Sequence, residues 1–103
     1  MIELDVSIII PVYKRTGWLR ECIEHVLNQE FEGHFEVVVV DDGSPDSSGF
    51  KNILNSFHSN AALRYLKNKH AGPAAARNFG VRNSIGKILC FLDDDSLPEK
   101  KWL

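Results

Sequence analysis

Three consecutive aspartates, Asp93, Asp94 and Asp95, follow an apolar run in this sequence. Neighbouring carboxylates repel each other, so a fold gains nothing obvious from placing them in a row. If the preceding strand stays extended through residue 95, Asp93 and Asp95 point to one face and Asp94 to the other. Two carboxylates on one face can share a hard cation such as magnesium or manganese with phosphate oxygens. The alternative is that Asp95 or Ser96 caps a helix starting at Pro98, with the other carboxylates solvated.

A second acidic pair, Asp41 and Asp42, follows another β-branched run. One interpretation is an Asx-turn that starts a helix at Ser44 and Pro45. The functional interpretation is that one carboxylate accepts a hydrogen bond from a nucleobase, while Gly43 allows close approach. The pair therefore has both a structural and a ligand-binding interpretation.

Arg77 is a candidate for holding an anion. We predict it in the second turn of a helix. The first residues of this helix, Ala71-Gly72-Pro73, have small side chains and leave backbone N–H donors exposed. The alternative is a plain surface arginine. Gly80, in the middle of the same helix, costs about 1 kcal/mol relative to alanine, so close packing against the sheet or a ligand would explain it.

The histidines and cysteines do not have metal-ligand spacing. We expect each histidine to be a surface or loop residue, namely His25, His34, His58 and His70. Cys22 and Cys90 lie in apolar surroundings and are predicted to be reduced core thiols, which fits a reducing cytosol.

Strand and helix patterns alternate along the chain. The predicted elements are a strand at 6–13 that Pro11 ends, a helix from about Thr16 to Gln29, a strand at 35–44, a helix from Ser44 with apolar residues through Phe57, a strand at 63–68, a helix at 71–86 that Gly86 ends, and a strand at 87–95. This order predicts an α/β fold, a Rossmann-like parallel sheet with helices on both faces. Ligands of such sheets bind beyond the carboxyl ends of the strands. Residues 11–13, 41–44 and 93–95 should therefore share one rim.

Composition limits the possible functions. The 103 residues are 44% hydrophobic and 25% charged, with a formal net charge of −2, which is typical of one ordinary globular domain. Lysine and arginine are scattered, so we expect no nucleic-acid partner. No apolar run approaches the roughly 18 residues of a transmembrane segment, and we predict a cytoplasmic protein, with the membrane face as a second option. The length is small for an enzyme that holds two substrates.

Four stretches, in this order and spacing, resemble the nucleotide-sugar-binding half of a family 2 glycosyltransferase with the GT-A fold. They are VSIIIPVY, FEVVVVDDGSPD, GPAAARNFGV and GKILCFLDDDSLP. The likeness runs from about Leu4 to Leu103. It implies a single nucleotide-diphospho-sugar-binding domain over residues 1–103, cut short at its C-terminus.

The resemblance also implies roles for individual residues. Pro11, Val12 and Tyr13 would border the nucleoside, and Asp42 would bond the base, usually uracil. Arg77 would lie near the base or the diphosphate. The triplet would divide its roles, with Asp93 and Asp94 beside the ribose and the metal water and Asp95 on the divalent metal, manganese or magnesium.

The activity implied for the parent enzyme is transfer of a sugar from a nucleotide diphosphate to an acceptor hydroxyl, with inversion at the anomeric carbon. The acceptor would be a saccharide or a lipid-linked molecule, and the general base is expected beyond Leu103. On this interpretation the chain alone binds the donor but transfers no sugar, and its unpartnered faces predict a homodimer.

Two alternatives belong to other classes. A receiver-type phosphoacceptor domain is also a small parallel α/β unit, but it carries an acidic pair after the first strand, where this chain has Pro-Val-Tyr. A non-catalytic nucleotide-binding module would have the same sequence features as the enzyme, and an activity assay on the full-length gene product separates the two.

Overall fold

The computed structural model describes residues 3–57 and 62–103, and the strands and helices of this part alternate as predicted. In chain order they are β1 (Val6–Val12), α1 (Leu19–Leu27), β2 (Phe35–Asp41), α2 (Ser48–Asn55), β3 (Leu63–Lys67), α3 (Pro73–Arg82) and β4 (Ile88–Phe91). The strands form one parallel sheet in the order β3-β2-β1-β4. The α/β fold class is confirmed.

The two central strands carry continuous apolar runs, Ile8–Ile10 in β1 and Val37–Val40 in β2, because the sheet is covered on both sides. On one face, Ile8 of β1 belongs to a core cluster with Ile23 of α1 and Phe50 of α2. On the other face, Ile9 belongs to a cluster with Ala76 of α3. Successive residues of a strand point to opposite faces, so these neighbours in β1 serve different layers. Helices therefore lie on both faces, as predicted.

Pro11 does not end β1, contrary to the prediction. It pairs with Val40 of β2, and the strand continues to Val12. The carbonyl of Ile9 accepts a hydrogen bond from the Leu92 amide, so the backbone polar groups of residues 9 and 11 both point toward β4. Because β4 ends at Phe91, no β4 residue lies opposite Pro11, and the missing N–H of proline removes no hydrogen bond between strands.

Helix α2 begins later than the Ser44-Pro45 pair predicts. Its first residue is Ser48, with Ser47 before it. The Ser44 amide donates to Asp41 Oδ1 at 2.9 Å, and the Ser47 hydroxyl donates to Asp41 Oδ2 at 2.6 Å. The buried carboxylate of Asp41 therefore holds residues 44–47 as a loop, and the local helix signal is overridden. Phe57, predicted within the helix, lies in a turn beyond it.

Several other boundaries differ from the predictions, including the end of β2 at Asp41 instead of Ser44. Helix α1 is shorter at both ends than the predicted span of Thr16 to Gln29. Helix α3 ends at Arg82, and Gly86 lies in the next loop, where its amide donates to Ser7 Oγ. The predicted strand at 87–95 is limited to β4, so the aspartate triplet lies outside it. β4 is an edge strand, and most of its side chains are exposed.

Candidate functional site

A cleft of about 360 Å³ opens at the carboxyl edge of the sheet. All residues that the sequence predicted for the site line it, namely Pro11, Val12, Tyr13, Asp42, Arg77, Asp93, Asp94 and Asp95. Arg15, Pro73 and Ala76 complete the lining. The carboxyl ends of parallel strands meet at one edge, which is why residues so distant in sequence converge here.

The loop after β1 turns sharply at Lys14, whose φ is +63°. The Lys14 amide donates to the hydroxyl of Ser44 at 2.9 Å, and the Arg15 amide donates to the carbonyl of Tyr13 at 2.7 Å. The first bond fastens the loop after β1 to the loop after β2, and the second closes a turn within the loop after β1. Tyr13 is thereby held at the cleft.

Asp41 has a structural role. Its buried carboxylate accepts hydrogen bonds from Ser44, Ser47 and the hydroxyl of Tyr65, the last at 2.6 Å. Burial works to raise the pKa of Asp41, but these donors outweigh it and hold the pKa below its usual range. Burial, together with the Asp41 carboxylate, raises the pKa of Tyr65 to about 12. The turn-forming interpretation of the acidic pair therefore fits Asp41, although the helix starts later.

Asp42 lies in the cleft, and its side chain is only 5% exposed. Its Oδ1 accepts the Ala71 amide at 3.2 Å, and its Oδ2 accepts the Gly72 amide at 3.1 Å and His70 Nδ1 at 3.0 Å. A carboxylate offers about four acceptor positions, so Asp42 keeps capacity for one more donor. It is the member of the pair that can bind a ligand.

Arg77 reaches the cleft from α3. Its Nη2 lies 4.0 Å from Oδ1 of Asp93, and both side chains are substantially exposed. The helix approaches the sheet closely at Gly80, where an added Cβ would lie 2.7 Å from Ile9 Cγ2 and 3.1 Å from Val40 Cγ2. Close packing against the sheet thus explains this helical glycine, and it positions Arg77 over the strand ends.

The aspartate triplet forms a turn after β4, not an extension of the strand. The premise that placed Asp93 and Asp95 on one strand face is therefore wrong. Asp94 is buried and accepts a hydrogen bond from Arg15 at 2.8 Å, while Asp93 and Asp95 are exposed. Burial raises the pKa of Asp94, and Arg15 opposes this only in part. The helix-capping alternative is also wrong, because no helix follows at Pro98 in the described chain.

In the described ranges, no three acidic, histidine or cysteine side chains converge in a way that could hold a metal ion. Asp93 and Asp95 both line the cleft. A metal at this position would need most of its ligands from another molecule, as phosphate-bound magnesium does.

Two residues that contact side chains of the cleft, Arg15 and His70, were missed at the level of sequence. Arg15 was not singled out, and its pairing with Asp94 spans 79 residues. His70 was expected to be a surface or loop residue; it is exposed, but it also binds Asp42 and stacks on Tyr13. The sequence signal that could have identified His70 was its position directly before the small residues Ala71 and Gly72 that lead into α3, at the same rim of the sheet.

The remaining histidines and the cysteines largely follow the predictions. His25 and His34 are exposed, and His58 lies outside the described residues. Both cysteines are free thiols; Cys22 is buried and Cys90 is partly buried. Burial raises the pKa of Cys22 to about 12, and its thiol donates to the backbone carbonyl of Asp93.

None of the helices in the described part of the chain has the length and apolar character needed to cross a bilayer.

Known proteins resemble this chain over nearly its whole length. A Rickettsia felis protein described as an uncharacterized glycosyltransferase is 46% identical over 95 residues, which are 92% of this chain and 15% of that protein. The crystal structure of S. aureus TarS in complex with UDP-GlcNAc has a TM-score of 0.81 at 28% identity, covering 94% of this chain and 28% of that one. Mannosyltransferase PcManGT from Pyrobaculum calidifontis, in complex with GDP-Man and Mn²⁺, has a TM-score of 0.81 at 28% identity, covering 95% and 30%.

This chain spans less than a third of the length of each of these three proteins. The structural neighbours are GT-A glycosyltransferases, which agrees with the parallel sheet and its cleft. The model of the family described as "Glycosyl transferase family 2" matches residues 7–103. The chain therefore belongs to glycosyl transferase family 2.

Proposed function

We propose that residues 1–103 bind the nucleotide-diphosphate sugar, a UDP-sugar, of an enzyme that transfers the sugar to an acceptor hydroxyl with inversion. The observation that carries the proposal is the cleft at the strand ends, with a nearly buried Asp42 carboxylate at one side and the Arg77–Asp93 pair at the other. Two solved neighbours hold UDP-GlcNAc and GDP-Man, which supports a nucleotide sugar as the ligand class.

The nucleoside would bind beside Pro11, Val12 and Tyr13. Asp42, whose side chain is only 5% exposed, would accept the N3 hydrogen of uracil through its remaining acceptor capacity. A charge-assisted hydrogen bond in such a site is stronger than a neutral one. Because adjacent backbone amides already fix the carboxylate, binding would cost little reorganisation.

The diphosphate would lie between the α3 side and the turn after β4. Arg77 can present several N–H donors to phosphate oxygens, a geometry that suits guanidinium groups. Its separation of 4.0 Å from Asp93 is too long for a strong pair, so it remains available to a ligand. Asp93 and Asp94 lie on the ribose side in this proposal.

Asp95 and Asp93 would hold a divalent metal, manganese or magnesium, together with phosphate oxygens. The donor set fits, since both are exposed carboxylates lining the cleft and hard cations prefer oxygen ligands. A solved neighbour is described as a complex with Mn²⁺. When bound, the metal supplies Lewis-acid stabilisation of the departing diphosphate.

Inversion requires the acceptor hydroxyl to attack from the face opposite the diphosphate, with help from a general base. We assign no base among the described residues. The contribution proposed for this chain is donor binding and stabilisation of the leaving group. The acceptor, saccharide or lipid-linked, and a cytoplasmic location stay predictions.

Family membership leaves the receiver-domain alternative without support. The non-catalytic alternative predicts the same UDP binding, and sugar transfer by the full-length product separates it from the enzyme.

Calorimetric titration with UDP tests the donor site. Affinity should be higher with manganese than with a chelator, because Asp95 and Asp93 would hold a cation that offsets the charge of the diphosphate. Uridine should be nearly indifferent to the metal. Asp95→Asn should remove most of the metal effect, whereas Glu32→Gln, an exposed acid outside the cleft, should retain it. Equal UDP affinity in both conditions would refute the metal role, and no UDP binding at all would refute the donor site.

A further inference from the structure

His70 contacts two side chains of the cleft at once. Its ring stacks on Tyr13, with centroids 4.3 Å apart and an interplanar angle of 18°. Its Nδ1 lies 3.0 Å from Oδ2 of Asp42 and 3.0 Å from the Asp42 backbone carbonyl. Tyr13 comes from the loop after β1 and Asp42 from the loop after β2, so His70 connects both loops to the segment before α3.

The hydrogen bonds define which nitrogen of His70 carries a proton. Both partners of Nδ1 are acceptors, a carboxylate and a carbonyl, so Nδ1 must be the donor. Nε2 makes no hydrogen bond to any residue that the structure describes. The imidazole therefore acts on Asp42 as a directional N–H donor and on Tyr13 as a flat surface.

The backbone of His70 is fixed independently of its ring. Gly43 has a φ of +74°, and a Cβ added there would lie 2.5 Å from the His70 amide nitrogen. The segment before α3 thus packs directly on the turn after β2, where only glycine fits. Because the His70 backbone is held in place, its ring has a fixed position from which it contacts Tyr13 and Asp42.

We propose that His70 is a positioning residue of the nucleoside subsite, which presets the Tyr13 ring and the Asp42 carboxylate for the base. The inference rests on the proposed donor site and deepens it. Holding both groups in their bound arrangement before the ligand arrives removes an ordering cost that would otherwise weaken binding. A purely structural role, in which His70 only ties loops together, would change stability but not nucleoside affinity.

Three variants separate the two contacts of His70. His70→Asn keeps an N–H donor close to the place of Nδ1 but removes the ring. His70→Phe keeps the stacking on Tyr13 but removes the donor, and His70→Ala removes both. His34→Ala is the matched control, because His34 is exposed in the loop before β2, at the opposite edge of the sheet.

Each variant of the full chain is titrated with UDP, uridine and, in the presence of manganese, inorganic pyrophosphate. His70→Ala should weaken UDP and uridine alike by about tenfold, the equivalent of one lost hydrogen bond to a charged group. Pyrophosphate should bind unchanged, because His70 does not touch the diphosphate side. His70→Asn and His70→Phe should each recover part of the uridine affinity, and His34→Ala should match the parent protein.

A melting curve on each sample distinguishes positioning from loop tying. Uridine affinity that stays at the parental value in His70→Ala, with or without a lower melting temperature, would overturn the inference while leaving the donor site intact. Equal losses for uridine and pyrophosphate would also overturn it, since they indicate general disruption of the cleft. If the parent protein itself does not bind UDP, the donor site fails, a result distinct from either of these.

Discussion

Nη2 of Arg15 lies 2.8 Å from Oδ1 of Asp94, joining the loop after β1 to the turn after β4. The Arg15 side chain is 70% exposed and that of Asp94 only 10%, so a guanidinium group at the surface pairs with a buried carboxylate. This accounts for the middle aspartate of the triplet. The middle carboxylate is turned inward and paired with Arg15, and the outer two, Asp93 and Asp95, are exposed and line the cleft.

Arg15→Gln should lower the free energy of unfolding at pH 7 by about 1 kcal/mol, because it leaves the buried Asp94 carboxylate without its cation. The loss is modest because the Arg15 side chain is largely exposed. The pKa of Asp94 is raised in the native state. Its ionisation therefore opposes folding at neutral pH, and protonation relieves the cost as the pH falls through that raised pKa. The deficit of Arg15→Gln should shrink over the same range.

Urea unfolding of both proteins at pH 7 and at mildly acidic pH measures this difference. Arg82→Gln, which removes an exposed arginine outside the cleft, is the control and should be near neutral. A deficit that grows on acidification would contradict the assignment to Asp94.

Asp42→Ala should weaken UDP binding by roughly ten- to hundredfold, the cost of about 1.5–3 kcal/mol for a lost hydrogen bond to a charged group. The dependence on manganese should survive, since Asp95 is unchanged. Asp41→Asn is the contrasting variant: its partners Ser47 and Tyr65 are structural, so it should lower the melting temperature more than it lowers UDP affinity. Calorimetry and thermal unfolding on the same samples decide, and parental UDP affinity in folded Asp42→Ala would remove Asp42 from the site.

Glu36 should make stability depend on pH in the acidic range. Its buried carboxylate accepts hydrogen bonds from Ser7, Arg64 and the Ile85 amide. Burial works to raise the pKa of Glu36, but these donors outweigh it and lower the pKa. A lowered pKa means that the stabilisation is complete above the unfolded-state value of about 4.3 and is lost as the pH falls through the folded-state value.

Glu36→Gln should therefore cost about 1–3 kcal/mol at pH 7, and the difference from the parent should narrow at the acidic end of the range. Denaturant unfolding at several pH values measures it. Glu32→Gln, on an exposed loop, should show no such trend. A deficit that is constant with pH would mean that charge on Glu36 is not what the network stabilises.

Gly80→Ala should destabilise the protein by about 1–3 kcal/mol, even though alanine favours helix, because the new methyl would overlap two buried side chains of the sheet. Moving α3 outward would also displace Arg77, so UDP affinity should fall while uridine affinity changes less. Gly17→Ala is the control, since nothing lies within 4 Å of a Cβ placed there. Equal melting temperatures for the two variants would show that α3 does not need the close approach.

The edge strand β4 should promote self-association. Ile88 is 60% exposed and Phe91 48% exposed, on a strand that pairs only with β1 within the described chain. Sedimentation velocity over a range of concentrations should show dimers, and Ile88→Lys should shift the protein to monomer. A parent protein that stays monomeric at every concentration would contradict the predicted homodimer.

Most of the residues that surround the cleft were predictable from the sequence, although Arg15 was not. Continuous β-branched runs indicate strands covered on both faces, the alternation with helical patterns makes them parallel, and parallel strands end at one edge. Residues such as Tyr13, Asp42 and Asp95 are therefore brought to one rim by their positions after strands, whatever their side chains do there. Pro73 at the first residue of α3 was equally local, because its fixed φ suits a helix start.

What each side chain does at the rim was decided by the tertiary structure alone. Asp41 and Asp42 are adjacent and identical, yet one binds Tyr65 inside the fold and the other binds the segment before α3. Asp94 turns inward because Arg15, 79 residues away in sequence, lies beside it. A buried carboxylate is stable only where donors reach it, and no local pattern in the sequence records which donors the packing of distant loops will deliver.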